Sequence, residues 1–408
     1  MTYPLDRRTR RDSDRRFIGI SDFFTSEFPR LNEQNGTVVR AGIIQYGAAA
    51  LTIEVEGQVW TLRLEDGNLK AFSGADEHAL RISLTADQFS DLAQNQMSLN
   101  GFLVARSLRF SGRGLDQVSI WDSLWIGLLE GWPSSGDLSF LDEAGNPLDL
   151  QRSFGPDEPA HEIAHFLRET GYVHLAGWLD PADMAQISNE IDCALPHYTE
   201  GDGKSWWAST ADGKRHCVRL QEFIEHSPTT HRIMTSPRWA LLREVLAGSD
   251  RLLEVPIEGR VIEALIKPVG VIAGPSDLTY HRDCHLGRHA YVCSRMTVGI
   301  SLSASGPENG QLRVVAGSHR VALPVEVAKN RPPFPVVSLR TAPGDLTVHL
   351  SCTLHEATPP VIAERRVMYT EMPLRPFEGG PGIDTSVGEL RAQIDDIHRH
   401  KTRAANDT

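Results

Sequence analysis

Met296-Thr297-Val298-Gly299-Ile300-Ser301-Leu302 alternates without a break. Successive side chains of a strand point to opposite faces, so Met296, Val298, Ile300 and Leu302 share one face and Thr297, Gly299 and Ser301 the other. Leu346-Thr347-Val348-His349-Leu350 repeats the pattern, with Thr347 and His349 on the polar side. Strands with one apolar face and one small, polar face belong in a barrel of two sheets whose interior is a pocket rather than solid core. Glu308-Asn309-Gly310, between the two runs, predicts a hairpin turn.

Just before the first of these strands stands Tyr280-His281-Arg282-Asp283-Cys284-His285. In extended chain His281 and Asp283 face the same way and can reach one ion together. A third imidazole from a distant strand, His355, would complete two histidines and a carboxylate on one face of a metal. That donor set leaves adjacent positions open and suits non-haem Fe(II). With sixteen histidines in the chain, any single one is ordinarily a core or surface residue, so the weight falls on the combination. His285 is a rival to the outer ligand, but an extended strand would set it about 13 Å from His281. His349 is a rival to His355; about 20 Å would separate those two in a straight strand, so only one of them is expected to ligate. His281-Arg282-Asp283 also spells the start of a kinase catalytic loop, but Arg288 stands where the magnesium-holding asparagine belongs, and no DFG follows.

The 408 residues predict two domains. A net charge of -12 argues against nucleic acid as the main partner, and no apolar run is long enough to span a bilayer. Arg7-Arg8-Thr9-Arg10-Arg11 is followed by no apolar region, so residues 1–16 read as a basic, solvated tail rather than a twin-arginine signal. Cys193, Cys217, Cys284, Cys293 and Cys352 are odd in number and lack CxxC spacing, which fits reduced thiols in a cytoplasm.

Residues 17–132 read as one unit. Leu51–Glu56 and Val59–Leu64 alternate as strands around a tight Glu56-Gly57 turn, and Glu65-Asp66-Gly67 marks another turn. Thr85 is expected to cap a short helix carrying Phe89 and Leu92, and Leu108–Gly112 returns to strand. Tryptophan strand, Asp-Gly turn, "LTADQFSDLAQNQ" helix and "LRFSG" together resemble the SCP2 sterol-carrier domain. That resemblance implies an apolar tunnel; Ile120, Trp121, Leu124, Trp125, Ile126, Leu128 and Leu129 would form either its wall or an ordinary core helix. Residues 133–159, rich in Pro, Gly, Ser and Asp, are expected to be a linker. A helix from His161 should stop at Gly171, Tyr172–Leu175 should be a strand, and Asp180-Pro181 should open another helix.

From about Ala160 to Leu374 the chain resembles the phytanoyl-CoA dioxygenase-like family of iron(II)- and 2-oxoglutarate-dependent oxygenases. The resemblance rests on "FLRETGYVHLAGWLDPADMAQISNEID", His281-x-Asp283, "PENGQLRVVAGSH", Pro343-Gly344-Asp345, His355 and, eleven residues on, Arg366. It implies a mostly β double-stranded β-helix (jelly-roll) with flanking helices over 160–380, behind an α/β SCP2-like domain, with 381–408 as a C-terminal helix or tail. It picks His355 over His349, making His281, Asp283 and His355 the Fe(II) ligands, and leaves His349 as an inner-face residue. It assigns Arg366 to the distal carboxylate of 2-oxoglutarate, with Arg365 pointing to the other face. Thr358 would be a helper, because His355-Glu356-Ala357-Thr358 departs from the family's His-Gly-Ser, and Lys267 matches a lysine on the strand before the HxD motif. Gly299, where relatives often carry an aromatic, would enlarge the pocket, and Trp206-Trp207 could cap a substrate or serve structure. Asp283 in place of a small residue implies oxygenation rather than halogenation. The expected reaction consumes O2 and 2-oxoglutarate, releases succinate and CO2, and hydroxylates or otherwise oxidises an unactivated C–H bond of an apolar lipid, sterol or terpenoid-like molecule. The alternative is a lipid carrier whose barrel is a scaffold or sensor. A homodimer is compatible with either.

Overall fold

The computed structural model describes residues 16–104, 107–133, 138–247, 257, 262–274, 279–283, 295–325, 332 and 334–373. The basic tail up to Arg15, Cys284, His285, Arg288, Cys293 and the expected C-terminal segment 381–408 lie outside the described residues.

The first unit begins with α1 (Ile20–Asp22), which runs through a π-helical turn at Phe23–Glu27 into α2 (Phe28–Tyr46). Strands β1 (Leu51–Val55), β2 (Gln58–Glu65), β3 (Asn68–Ser73), β4 (Leu80–Leu84) and β5 (Arg109–Ser111) form one sheet in the order β3-β2-β1-β4-β5. Both sequence-predicted turns form. Glu56 (φ 49) with Gly57 (φ 83), and Asp66 (φ 51) with Gly67 (φ 74), put two left-handed residues in each two-residue loop, the geometry that matches strand twist. Thr85 caps α3 (Ala86–Ala93) in a reciprocal capping box with Gln88. After α4 (Leu99–Val104), helix α5 (Leu115–Glu130) runs through the interior and packs against α2. Its Trp121 and Trp125 are buried, with their indole N–H groups donating to Ala49 O and Leu92 O. Trp125 stacks on Phe23, which meets Phe89 edge-on. Of the candidate tunnel side chains, Ile120, Trp121, Leu124, Trp125 and Leu128 are packed together as core with Leu129 partly buried against them, whereas Ile126 packs with Ala322 of the second unit.

The expected linker is largely laid onto the second unit. Leu148 and Leu150 pack against its core, Phe154 is fully buried, and β6 (Ser153–Phe154) pairs in parallel with β7 (Tyr172–Leu175). Helix α6 (Ala160–Thr170) ends at Gly171 (φ 84), and α7 (Pro181–Ala194) is capped by Asp180, as their end signals predict. Then come β8 (Ser205–Thr210), β9 (Arg215–Leu220), α8 (Pro228–Met234), α9 (Pro237–Ala247), β10 (Ile262–Lys267), β11 (Val271–Ala273) and β12 (Arg295–Ser301). These are followed by β13 (Leu312–Val315), β14 (Val336–Leu339), β15 (Leu346–Leu350), β16 (His355–Ala357) and β17 (Arg365–Pro373).

Among the described residues, nine strands form the large sheet, β11-β8-β9-β10-β17-β12-β15-β7-β6, and three the small one, β14-β13-β16. A pocket lies between them, walled by Leu265, Thr297 and Tyr369 of the large sheet and Leu312, His355 and Ala357 of the small one. This is the two-sheet barrel that the alternating strands called for. Met296, Val298, Ile300, Leu346 and Val348 turn outward into one core with Ile163, Phe166, Ile187 and Trp239 of the flanking helices. The Glu308-Asn309-Gly310 turn differs from expectation. Instead of joining hydrogen-bonded neighbours, it passes the chain from the large sheet to the small one, because β12 pairs with β15 and β17 while β13 pairs with β14 and β16.

Candidate metal centre

His281 and His355 are brought together by a two-residue backbone bridge: each N–H donates to the other's carbonyl, at 2.9 and 3.0 Å. Asp283 lies two residues on. Its Oδ1 is 3.6 Å from His281 Nε2 and 3.8 Å from His355 Nε2. One ligand atom from each of the three falls within 4.8 Å of the others. The two histidines are held alike. His281 Nδ1 donates to Thr279 O (2.8 Å) and His355 Nδ1 to Thr353 O (2.9 Å), which fixes the tautomer and aims both Nε2 lone pairs at the carboxylate.

The protonation states suit a cation. Burial, together with the neighbouring His349 and His281, holds the His355 pKa well below its ordinary value, so its imidazole is neutral at neutral pH. Burial alone would raise the Asp283 pKa, but His355, His349 and His281 outweigh it and hold the carboxyl well below the usual range. Two imidazoles and one carboxylate in a polar pocket fit a divalent iron ion.

His349 is a neighbour of this group. Its Nε2 is 3.3 Å from Asp283 Oδ2, and Thr297 Oγ1 donates to the same oxygen at 2.7 Å. The straight-strand estimate that kept His349 and His355 about 20 Å apart does not apply. The chain folds back between β15 and β16, and the two rings are 4.1 Å apart. Distance does not separate the two; what does is that His355 shares the bridge with His281, whereas His349 reaches the oxygen of Asp283 turned away from it.

The arginines come out opposite to expectation. On β17, Arg366 shares its face with Met368 and Met372, the face packed against helices; its guanidinium reaches α7, donating to Ser188 O and Oγ (both 3.0 Å) and pairing with Asp192 at 2.8 Å. Arg365 shares the pocket face with Tyr369 and Glu371. It is 2% exposed, donates from Nη1 to Gly310 O at 2.7 Å, and its buried Nε has no hydrogen-bond partner. The eleven-residue interval could not tell adjacent arginines apart; strand parity does.

Lys267 sits in register opposite Arg365, buried, lining the pocket, with Nζ donating to Ala357 O and Thr358 O. The Thr358 hydroxyl donates to Gln311 O rather than lining the pocket. Gly299 does not widen the pocket: a Cβ there would meet Thr347 Oγ1 at 2.7 Å and Tyr369 Cε1 at 2.9 Å, so the tyrosine ring fills the space. Trp207 packs against the core and Trp206 carries the Arg219 guanidinium 4.3 Å above its ring. Arg219 in turn pairs with Glu263 at the pocket wall, a charged feature that the sequence pattern did not single out. Asp345 is a tie rather than a ligand, accepting from Gly177 N, Ala342 N and His174 Nε2.

Residues 167–366 match the phytanoyl-CoA dioxygenase (PhyH) family, a span that includes the three candidate ligands. Among solved structures, the epimerase SnoN from nogalamycin biosynthesis, described as non-heme and alpha-ketoglutarate dependent, is 26% identical over 52% of this chain and 82% of its own, with a TM-score of 0.41. AviO1 from Streptomyces viridochromogenes Tue57 is 20% identical over 53% and 95%, TM-score 0.41. EctD from S. alaskensis, solved with 2-oxoglutarate and 5-hydroxyectoine, is 18% identical over 59% and 86%, TM-score 0.41. No curated protein matches the chain. Among the described residues no helix is long and apolar enough to cross a membrane.

Proposed function

We propose that this chain, an Fe(II)/2-oxoglutarate-dependent oxygenase by its matched domain, holds iron through His281, Asp283 and His355 and 2-oxoglutarate through Arg365, and oxidises an unactivated C–H bond of a small molecule. The observation that carries the reading is the meeting of the three ligands at a pocket between the two sheets. Bound iron and 2-oxoglutarate supply the oxidising power, with O2 consumed and succinate and CO2 released. The chain supplies position and dryness. Thr297 and His349 hold Asp283 in place. Arg365 offers a buried guanidinium that donates to the neutral carbonyl of Gly310, suited to a distal carboxylate, and Lys267 adds positive charge beside it.

The expected substrate was apolar. Leu265, Leu312 and Tyr369 give the pocket apolar wall, but Arg219, Glu263 and Glu371 line it too. A molecule with an apolar reacting carbon and polar groups elsewhere suits such a wall better than a bare hydrocarbon. For the first unit, the sheet order and capped helix support the sterol-carrier-like reading, while the aromatic filling of its interior favours a docking role over lipid carriage. The test is to add Fe(II) to metal-free chain without oxygen, measure 2-oxoglutarate binding by dialysis, then admit O2 and follow succinate with a panel of small molecules. Succinate release that needs neither iron nor His281 would overturn the reading.

A further inference from the structure

Strand register on the large sheet places one row of side chains across β8, β9 and β10: Trp206 opposite Arg219, and Arg219 opposite Leu265. Glu263, two residues from Leu265 on β10, is the diagonal neighbour of Arg219 and accepts from its Nη2. Arg219 is thus held from two sides, by the Trp206 ring 4.3 Å from its guanidinium carbon and by the Glu263 carboxylate. Arg219 and Glu263 both line the pocket that holds the candidate ligands. Stability does not explain the arrangement. Glu263 is 9% exposed, and the buried Nε of Arg219 has no hydrogen-bond partner. For a pair taken so far out of water, desolvation offsets the attraction, and a buried donor without an acceptor is a further cost. Leu265 and Tyr369 line the same wall beside the pair, so apolar side chains fit there.

The chemistry of the pair selects what it can bind. As a unit it is neutral, with donors set beside an acceptor. A carboxylate arriving there would meet Glu263, and Glu371, which lines the same pocket opposite Thr297, adds a second negative group. An ammonium would meet Arg219. A hydroxyl suits both members, because it can donate to a carboxylate and accept from a guanidinium at once. The register also sets its distance from the metal centre. Glu263 lies opposite Tyr369, and Tyr369 opposite Gly299, two residues from Thr297, whose hydroxyl bonds Asp283. Two strand spacings across and two residues along make about 12 Å.

We propose that Arg219 and Glu263 are specificity-determining residues that bind a neutral hydroxyl group of the substrate, remote from the carbon that is oxidised. The proposal rests on this pocket being the oxygenase site proposed above; a parent chain that binds no iron would sink that reading, while probe binding to the metal-free chain would still test the hydroxyl site.

The experiment uses the full chain, metal-free and again with Fe(II) and 2-oxoglutarate in the absence of oxygen. Affinities for octanol, octyl methyl ether, octanoate and octylamine are read by ligand-observed NMR. Octanol should bind most tightly, and Arg219→Gln and Glu263→Gln should each weaken it about tenfold, as expected for losing one hydrogen bond to a charged group. Glu263→Gln should leave the ether, which has no hydroxyl to donate, nearly unchanged. Tighter binding of octanoate or octylamine, ether bound as tightly as octanol, parent-like octanol affinity in either variant, or no binding of any probe would overturn the proposal. Removing one member of a buried pair can unfold a chain, so the double variant Arg219→Leu/Glu263→Leu supplies a second measurement. It should melt no lower than the parent and bind octanol and the ether alike. A melting temperature well below the parent's, or a retained preference for octanol, would refute the assignment.

Discussion

Replacing Arg365 by Gln should separate the two adjacent arginines of β17. Arg365 is buried on the pocket face with one bond to Gly310 O and a free Nε. A carboxylate placed against it would gain charge-assisted hydrogen bonds worth roughly 1.5–3 kcal/mol, or about ten- to a hundred-fold in affinity. Arg366 instead binds Ser188, Asp192 and Glu364 at the foot of α7, and its acidic partners are 53% and 40% exposed. Pairs so exposed contribute about 0–1 kcal/mol. Arg366→Ala should therefore lower the melting temperature by a few degrees and leave 2-oxoglutarate almost untouched. The assay is succinate formation against 2-oxoglutarate concentration, backed by dialysis at saturating Fe(II). If Arg366→Ala raises the 2-oxoglutarate requirement as much as Arg365→Gln does, the parity argument fails.

Three further outcomes are expected. His281→Ala and His355→Ala should abolish Fe(II) binding, whereas His349→Ala, which only loosens Asp283, should weaken it about ten- to a hundred-fold; metal content after dialysis checks this, and iron retained in His355→Ala would refute the ligand set. Gly299→Ala should cost about 1–3 kcal/mol by overpacking against Thr347 and Tyr369 and should impair turnover, read by denaturant melts and succinate release; a neutral result would mean the tyrosine ring moves freely. The Asp122 carboxyl is raised when folded, so its contribution is fully present below about pH 4 and is lost as pH rises through about 6. Metal-free parent chain should therefore lose stability relative to Asp122→Asn across that window; a flat difference would remove Asp122 from the buried titrating groups.

What could be read from the sequence was whatever depends on local pattern. Alternation in β12 and β15 marked a pocket-facing side, and Glu56-Gly57, Thr85, Gly171 and Asp180 marked element ends, because turn and cap chemistry acts over two to four residues. The HxD pair was legible for the same reason. What escaped needed non-local information. The return of the chain between β15 and β16 sets His349 against His355, and no spacing rule for a straight strand foresees it. Arg365 and Arg366 differ by one position, and the register of β17 against β10 decides which faces inward. Arg219 and Glu263 are partners 44 residues apart, visible only once the sheet exists.

The segment between the two units has a practical consequence. β6 adds a strand in parallel along β7, and Phe154 seals the floor beneath it. Cutting the chain near Gly155 to isolate the barrel would strip that strand away. The bared edge of β7 would then present unpaired N–H and C=O groups beside an apolar hollow, a template for recruiting strands from other chains. A barrel begun at residue 160 should come out of cells as aggregate or as a strand-exchanged oligomer, and one begun at 138 should stay dispersed. Where to place the scissors is thus set by the last strand of the large sheet rather than by the Pro- and Gly-rich composition that advertises a boundary.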